Sequence, residues 1–422
     1  MPPTANLEQH AAWLNRTRLR RLGIPCLAAF FALNAVLLWQ FRDSIFAGYG
    51  DFASFYAAGK LVAGGHSSEL YNPAYQQGAQ RDFAAEVKIR NGPLPYIRPP
   101  FEALLFLPFA YLSYHAAWIS WTLLKLVLIL AIPFVLHAHS GERGLSVCLL
   151  ESLLCLATFP VGLDFLQGQD AVLLFFVFAL ALRFILQGRN ALGGAVLALG
   201  LFKFNLVLPF LFVFAVTFPK RSRLLSGFFA TAMALALISW AMVGWSGVAH
   251  YPAYVWHLHE RPEWGVVQAR SMPNLRGLLA LLVGSGNMSR FIYIAFAAGA
   301  MLLGLLAIWS RRTSTANAEP RSRESVARFS FAITISLFVS YYSNSYDLTL
   351  LLLPLLMLGR SFVEAPAAWP RGLFLATASI LLCTPLFWSL FLRSNQISWA
   401  ALLLPALALA IYVQRREERI FS

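Results

Sequence analysis

The residue best suited to chemistry is an aspartate at the edge of the first apolar stretch. Asp51 follows residues 24–41, which are long enough to cross a membrane as a helix. Ionisable groups at the lip of the hydrocarbon are costly to place and are usually functional. A carboxylate there can take a proton from an attacking hydroxyl group, which makes Asp51 a candidate general base. Asp is also a preferred helix N-cap, and the sequence leaves both roles open.

Basic residues in apolar surroundings are candidates for binding a phosphate. Arg98 precedes two prolines, which restrict the backbone and favour a fixed side chain. Lys203 has apolar neighbours on both sides. It either meets a phosphate as a point charge or extends its ammonium group toward the membrane surface. Arg270 and Arg276 lie at the end of a second polar segment and complete this set of cations.

Four polar residues are weaker candidates for positioning a substrate: Tyr56, Tyr71, Gln169 and Asp347. Gln169 is followed by Asp170 at the start of an apolar stretch, where helix capping is the simpler role for Asp170. The histidines and the four cysteines have no metal-ligand spacing. The sequence therefore predicts no metal site, no cofactor and no disulfide.

The elements that hold these residues must be membrane-spanning helices. Hydrophobic residues make up 59% of the chain and charged residues 12%, whereas about 25% of a soluble domain is charged. A spanning segment must satisfy its own backbone, and the chain lacks the alternating pattern of a barrel. We therefore predict an all-α polytopic membrane protein.

The net charge of +14 is explained by topology. Arg and Lys cluster in the termini and in short loops, which the positive-inside rule assigns to the cytoplasm. Anionic membrane lipids are sufficient partners for these clusters, so no nucleic-acid partner is predicted. With these clusters on the cytoplasmic side, the apolar stretches alternate in direction across the membrane and predict about 12 crossings. They form a single domain at 22–413, between a cytoplasmic segment at 1–21 and a cytoplasmic tail at 414–422.

Three segments of this predicted topology are unusual. The first outer loop, 43–114, has the pattern of short helices lying on the membrane, near 52–62 and 74–88, and then an apolar run too short to span. Residues 190–218 begin and end near basic loops, which predicts a hairpin with Lys203 at an outward-facing tip. The second outer loop, 246–275, is rich in aromatic residues and is either a lid or an interfacial belt.

Several sequence blocks together resemble glycosyltransferase family 87, a family of membrane enzymes in the GT-C superfamily. The run DFASFYAAGKLVAGGHSSELYNPAYQ is similar to the outer-loop signature of that family. Five later blocks follow in the family's order: PYIRPPFEALLFLPFAYLSYHAAW, GQDAVLLFFVFALAL, GAVLALGLFKFNLVLPFLF, ARSMPNLRGLLALL and YYSNSYDLTLLLLPLL. The chain departs from the family pattern after Lys203, at Phe204 and Asn205, and within the last block at 343–345, just before its Tyr-Asp-Leu residues.

The resemblance implies a GT-C-like fold and an inverting, metal-independent transfer of one hexose or pentose. The donor would be a polyprenyl-phosphate-linked sugar, and the acceptor an envelope glycolipid or glycan on the outer face of the inner membrane. Asp51 would be the base. Two other functions remain open at this point. A flippase or transporter of lipid-linked sugars would also need polar residues through the cytoplasmic half, and a scaffold would leave the outer polar residues unexplained.

Overall fold

The computed structural model describes residues 23–84, 94–138, 144–218, 220–257, 269–283, 321–364 and 368–421, with single positions between 292 and 302. These residues form helices and no strand, in agreement with the predicted all-α class. The helices are α1 (Gly23–Gln40), α2 (Arg42–Phe46), α3 (Phe52–Ala63), α4 (Pro73–Ala84), α5 (Ala103–Phe106), α6 (Tyr114–His137), α7 (Leu145–Leu156), α8 (Phe159–Gln167), α9 (Ala171–Leu186), α10 (Asn190–Leu199), α11 (Phe204–Thr217), α12 (Arg221–His257), α13 (Leu275–Val283), α14 (Arg321–Val339), α15 (Leu352–Glu364), α16 (Ala368–Leu382), α17 (Thr384–Phe387) and α18 (Leu403–Phe421).

Within the described residues, five helical stretches are long and apolar enough to cross a membrane: Gly23–Gln40, Tyr114–His137, Asn190–Val216, Arg221–Val255 and Ile397–Gln414. Shorter apolar helices, including α7, α9 and the greater part of α16, lie between them. The apolar stretch at about 289–310 is another of the crossings that the sequence predicts, and most of it lies outside the described residues. The chain is therefore a helical membrane protein, and the total of about 12 crossings stays a prediction.

One of the 12 crossings that the sequence predicts, at about 146–160, is not a single continuous helix. Helix α7 ends at Leu156, and α8 begins at Phe159 after an extended residue, Thr158 (φ −87°, ψ 149°). Pro160 lies in the first turn of α8, where its missing N–H is tolerated, but it cannot continue a preceding helix.

The chain turns back between α10 and α11. A straight helix over the 27 residues of Asn190–Val216 would separate its ends by about 40 Å. Asn190 and Phe218 nevertheless line one small cavity. The reversal follows a 3₁₀ turn at Gly200–Lys203, where Lys203 has non-helical dihedrals (φ −112°, ψ 58°). The contacts support the hairpin that the sequence predicts, with Lys203 at its turn.

Aromatic side chains hold the centre of the helix bundle. The ring of Phe210 on α11 lies 4.7 Å from that of Phe178 on α9 and 4.7 Å from that of Phe329 on α14. All three side chains are fully buried. Helices in a membrane associate through close packing and not through removal of side chains from water, so these ring contacts fix α9, α11 and α14 relative to one another.

The helix predicted to lie on the membrane near 52–62 is instead buried inside the protein. Nine of the 12 residues of α3 are buried, and its close partner is the short helix α5. A Cβ atom at Gly59 would lie 2.5 Å from the backbone oxygen of Phe106. Only glycine permits this approach of two backbones, so α3 packs as a core element and not as an amphipathic surface helix.

Replacing Gly59 with alanine is therefore expected to destabilise the protein by about 1–3 kcal/mol, because the added methyl group meets a backbone oxygen that cannot move independently. Gly78 in α4 is the matched control, since nothing lies within 4 Å of its Cβ position. Gly78→Ala is expected to stabilise by about 0.5–1 kcal/mol through helix propensity. Thermal unfolding in detergent measures both, and equal effects of the two substitutions would contradict this packing.

The second outer loop is shorter than predicted at its start. Residues 246–257 continue α12, which changes direction at Gly244 (φ 69°, ψ 179°) and runs to His257. Tyr251 and Tyr254 therefore lie on a helix and not on a loop. Residues 258–268, including Trp264, are outside the described residues, so the choice between a lid and an interfacial belt stays open.

Candidate active site

A cavity of about 350 Å³ lies at the junction of the α2–α3 turn, the segment after α4, the α8–α9 turn and three later segments. Its volume is within the range of small-molecule sites. One part of the wall is polar and the rest is apolar. The lining residues are Asp51, Ser54, Phe55, Leu94, Pro95, Ile97, Arg98, Leu163, Gln167, Gln169, Ser271, Tyr342, Asn344, Ser345, Tyr346, Leu392 and Ile397.

Asp51 is positioned at the N-cap of α3, but its side chain does not cap that helix. The backbone oxygen of Asp51 accepts hydrogen bonds from the amide and the hydroxyl of Ser54. Its carboxylate accepts one from Gln169 Nε2 at 2.6 Å instead. The side chain is partly exposed on the cavity wall. Of the two roles that the sequence left open, capping by the side chain is therefore wrong.

Gly168 explains why Gln169 reaches Asp51. Gly168 ends α8 in the left-handed conformation (φ 66°), and a Cβ atom there would lie 2.5 Å from Cβ of Phe52. Its backbone oxygen accepts a hydrogen bond from the buried indole of Trp121 at 3.0 Å. The α8–α9 turn is thus pressed against the first residue of α3, which brings the side chains of Gln169 and Asp51 together.

Arg98 lies on the same cavity wall and is nearly buried. Its Nη2 donates to Gln169 Oε1 at 3.2 Å and to Asp170 Oδ1 at 3.0 Å. Gln169 therefore bridges Asp51 and Arg98, one through each end of its amide. Tyr71 holds the backbone of this segment, because its hydroxyl donates to the oxygen of Arg98 at 2.8 Å. The arrangement sets a base and a cation side by side in one cavity.

Behind the cavity wall, buried charges continue the network. Asp170 lies between Arg98 and Lys203, and its Oδ1 is 2.7 Å from Lys203 Nζ. Lys203 Nζ also donates to Asp347 Oδ1 at 2.6 Å, and the Lys203 residue is 1% exposed. Lys203 thus does not extend toward the membrane surface; it joins two carboxylates from distant parts of the chain. It is not among the residues that line the cavity.

The capping role expected for Asp170 belongs to a residue that the sequence analysis did not select. Asp170 is at the N-cap of α9 without a side-chain cap bond. Asp164 Oδ2 instead accepts from the amides of Ala171 and Val172 at 2.8 and 3.2 Å. Its Oδ1 accepts from Lys125 Nζ at 2.8 Å, and both side chains are fully buried. A lysine inside the apolar stretch of α6 was the signal that could have found this pair.

Glu102 is a second acid that the sequence analysis did not select. It is 2% exposed, and its Oε2 lies 3.9 Å from Nε of Arg98. Burial raises the pKa of Glu102 well above its usual range, and the nearby charge of Asp170 raises it further. Burial lowers the pKa of Arg98, but Asp170 and Glu102 outweigh it and the net direction is upward. Arg98 is therefore held in its charged form.

Of the remaining predicted residues, one adjoins the cavity and two support segments beside it. Arg270 is exposed, and the next residue, Ser271, lines the cavity. Arg276 is buried, and its guanidinium lies 4.3 Å from the ring centroid of Tyr341 and donates to the oxygen of that residue. The hydroxyl of Tyr56 donates to a backbone oxygen, that of Leu112, at 2.8 Å. Arg276 and Tyr56 thus support neighbouring segments, and neither lines the cavity.

The segment before α15 supplies cavity residues that were not among the predicted site residues. Tyr342, Asn344 and Tyr346 line the same cavity as Arg98. The amide of Asn344 donates to the hydroxyl of Tyr346 at 2.6 Å, and its backbone N–H donates to Asp347 Oδ2 at 2.8 Å. These hydroxyl and amide groups can bind several hydroxyl groups of a small polar ligand. In the part of the chain that is described, no cluster of His, Cys, Asp and Glu could hold a metal ion.

A family model for glycosyltransferase family 87 matches residues 96–340, more than half of the chain. The match begins just before Arg98 and includes Gln169, Asp170 and Lys203. No curated protein and no solved structure matches the chain.

Proposed function

Because the chain belongs to glycosyltransferase family 87, and is therefore a membrane glycosyltransferase, we propose that it transfers a single sugar from a polyprenyl-phosphate donor at the cavity beside Asp51. We further propose that the acceptor is an envelope glycolipid or glycan. Membership in an enzyme family removes the reason to prefer a flippase or a scaffold. The observation that best supports the proposed site is the shared cavity of Asp51 and Arg98, bridged by Gln169.

The proposed reaction is a direct displacement at the anomeric carbon. The acceptor hydroxyl oxygen forms a bond to that carbon while the bond from the carbon to the phosphate oxygen breaks. The proton of the hydroxyl passes to the Asp51 carboxylate, and the electron pair of the broken bond leaves with the polyprenyl phosphate. Attack opposite the leaving group inverts the anomeric configuration. No metal is needed in this scheme, because a base and a cation supply the proton transfer and the charge stabilisation.

Arg98 is proposed to stabilise the departing phosphate. It lies on the cavity wall, it is held in its charged form, and its planar guanidinium suits phosphate oxygens. Lys203 has a different proposed role, because it is buried between Asp170 and Asp347. It would fix Asp170, which in turn orients Arg98. Arg270 remains a candidate for a second phosphate contact, since it adjoins the cavity-lining Ser271.

The two kinds of cavity wall fit the two parts of the proposed donor. Asn344, Tyr342 and Gln167 offer amide and hydroxyl groups for a sugar ring. Leu392 and Ile397 offer apolar surface on another side, which suits the start of an isoprenoid chain that lies in the membrane. We propose that the site faces the outside of the inner membrane, because the arginine clusters belong to the cytoplasmic side.

Replacing Arg98 with glutamine is expected to lower kcat/KM for the donor by about 10- to 100-fold, since a charged partner of a phosphate contributes about 1.5–3 kcal/mol. The assay measures transfer of labelled sugar by the purified protein from a panel of polyprenyl-phosphate hexoses and pentoses to a membrane lipid extract. Arg42→Gln is the matched control, because the Arg42 side chain is 39% exposed, lies on α2 and does not line the cavity. Equal activity of the two variants would contradict the role of Arg98, and no transfer from any donor would contradict the function.

The proposed orientation has a separate test. Ser68 and Ser222 are both exposed and lie near opposite ends of the bundle. In a Cys26→Ala background, a cysteine at Ser68 is expected to react with a membrane-impermeant thiol reagent added to intact cells. A cysteine at Ser222 is expected to react only after the membrane is opened. The reverse order of labelling would overturn the orientation and the proposed outer location of the site.

A further inference from the structure

A second cavity, of about 340 Å³, lies at the other end of α9. Helix α9 has 16 residues, so this cavity is about 24 Å from Asp170 along the helix axis. It lies far from the proposed sugar site and has no part in that reaction. The residues that line it are Ile185, Leu186, Gln187, Gly188, Asn190, Phe218, Lys220, Glu324, Ser325 and Arg328.

Three helices begin around this cavity. Asn190 is the first residue of α10, Lys220 directly precedes α12, and Glu324 and Ser325 lie in the first turn or two of α14. The N-terminus of a helix carries a partial positive charge and unpaired backbone N–H groups, so it favours anions. Two helices also end at this cavity, α9 at Leu186 and α11 at Thr217. Their C-termini carry partial negative charge and oppose the N-termini, so the helix ends by themselves do not select an anion.

A buried amide donor adds a more specific signal. Asn190 is 3% exposed and lines the cavity. Among the described residues, its Nδ2 has no hydrogen-bond partner. Buried polar groups are nearly always paired, and an unpaired one calls for an explanation such as an absent ligand. An anion in the cavity would supply the acceptor that Nδ2 needs.

The charges that line the cavity are also mainly positive. Among the described residues that line it, Glu324 is the one acid, and Oε1 of Glu324 accepts from Nε and Nη2 of Arg328 at 3.2 and 2.6 Å. Arg328 therefore offsets the charge of Glu324, and Lys220 leaves the lining with a net positive charge. The exposed Arg221 and Arg223 lie just beyond it on α12.

We propose that this cavity binds the phosphate group of a membrane lipid headgroup. The apolar side chains of Ile185, Leu186 and Phe218 line the same volume, so a lipid can place its phosphate against Asn190 and Lys220 and keep its glycerol and acyl chains against apolar surface. Free phosphate has the same anionic chemistry but gains nothing from the apolar part. The site is independent of the proposed sugar transfer.

Binding to the purified protein in neutral detergent tests the proposal, with native mass spectrometry as the readout. The probes are phosphatidylglycerol, diacylglycerol, which lacks the phosphate, and inorganic phosphate. Phosphatidylglycerol is expected to bind at least about tenfold more tightly than either of the others. Equal binding of diacylglycerol would overturn the phosphate site. Equal binding of inorganic phosphate would overturn the lipid as its source.

The decisive variant is Asn190→Asp, which keeps the shape of the side chain but places a negative charge where the phosphate would lie. An acidic residue in the first turn of a helix is favourable, so the variant is expected to fold and to bind phosphatidylglycerol at least about tenfold more weakly. Arg223→Gln is the control for general attraction by basic residues, because Arg223 is exposed and does not line the cavity. If Asn190→Asp bound the lipid as tightly as the unaltered protein, the proposal would be wrong. Lys220→Gln gives a second test should Asn190→Asp fail to fold, and its unchanged affinity would equally contradict the site.

Discussion

Replacement of Asp51 with asparagine is expected to lower kcat by at least about 100-fold, because a positioned general base contributes about 10²- to 10⁴-fold to rate. Asparagine has nearly the same shape as aspartate, and its amide oxygen can still accept the hydrogen bond from Gln169 Nε2. The α3 helix does not depend on the Asp51 side chain for its cap. The substitution therefore removes the proton acceptor with little effect on the fold, and initial rates of sugar transfer measure the loss.

Asp43 provides the matched control for Asp51. It lies eight positions earlier in the chain, and its side chain is 82% exposed beside Arg42. Asp43→Asn removes the same charge from the same end of the protein and is expected to leave kcat within about twofold, since exposed substitutions away from a site have small effects. Near-normal turnover by a well-folded Asp51→Asn protein would exclude Asp51 as the base.

Replacement of Lys125 with methionine is expected to destabilise the protein by about 3–5 kcal/mol, since it leaves one charge of a buried ion pair without its partner. Asp164 is fully buried and has both Lys125 and the first amides of α9 as partners. Methionine is similar to lysine in volume. The loss of stability is therefore caused by the unpaired charge and not by an empty space in the core. The free energy of unfolding in mixed micelles is the measurement, with Lys60→Met at an exposed position as the control.

The double variant Lys125→Met, Asp164→Asn separates the ion pair from the helix cap. Asparagine is neutral, and its side-chain oxygen can still accept from the amide of Ala171, which Asp164 caps at 2.8 Å. The double variant is expected to recover most of the stability that Lys125→Met loses, since a buried pair replaced by neutral groups is often tolerated. A double variant as unstable as the single one would show that the loss does not come from the unpaired charge.

Some features of this protein follow from local sequence alone. The helical membrane class follows from 59% hydrophobic residues and long apolar runs, because a backbone in lipid must satisfy its own hydrogen bonds. The reversal at Lys203 is predicted by the basic loops at both ends of one apolar segment, which the positive-inside rule places on the same side of the membrane. Polar side chains beside apolar spans are energetically costly and usually functional. This is the reason why the sequence identifies Asp51, Arg98 and Gln169. The structure brings these three together at one cavity.

Other features were decided only by tertiary packing. Asp164 and Asp170 are equally suitable caps for α9 by residue type, and only the pairing of Asp164 with Lys125 on another helix assigns the cap to Asp164. Lys203 meets Asp347 across 144 positions of the chain, a separation at which no local pattern acts. The burial of α3 likewise depends on the backbone of Phe106 at Gly59. A residue's type and spacing fix which interactions it can make, but the partner is chosen by which helices pack together and which charges must be neutralised once water is excluded.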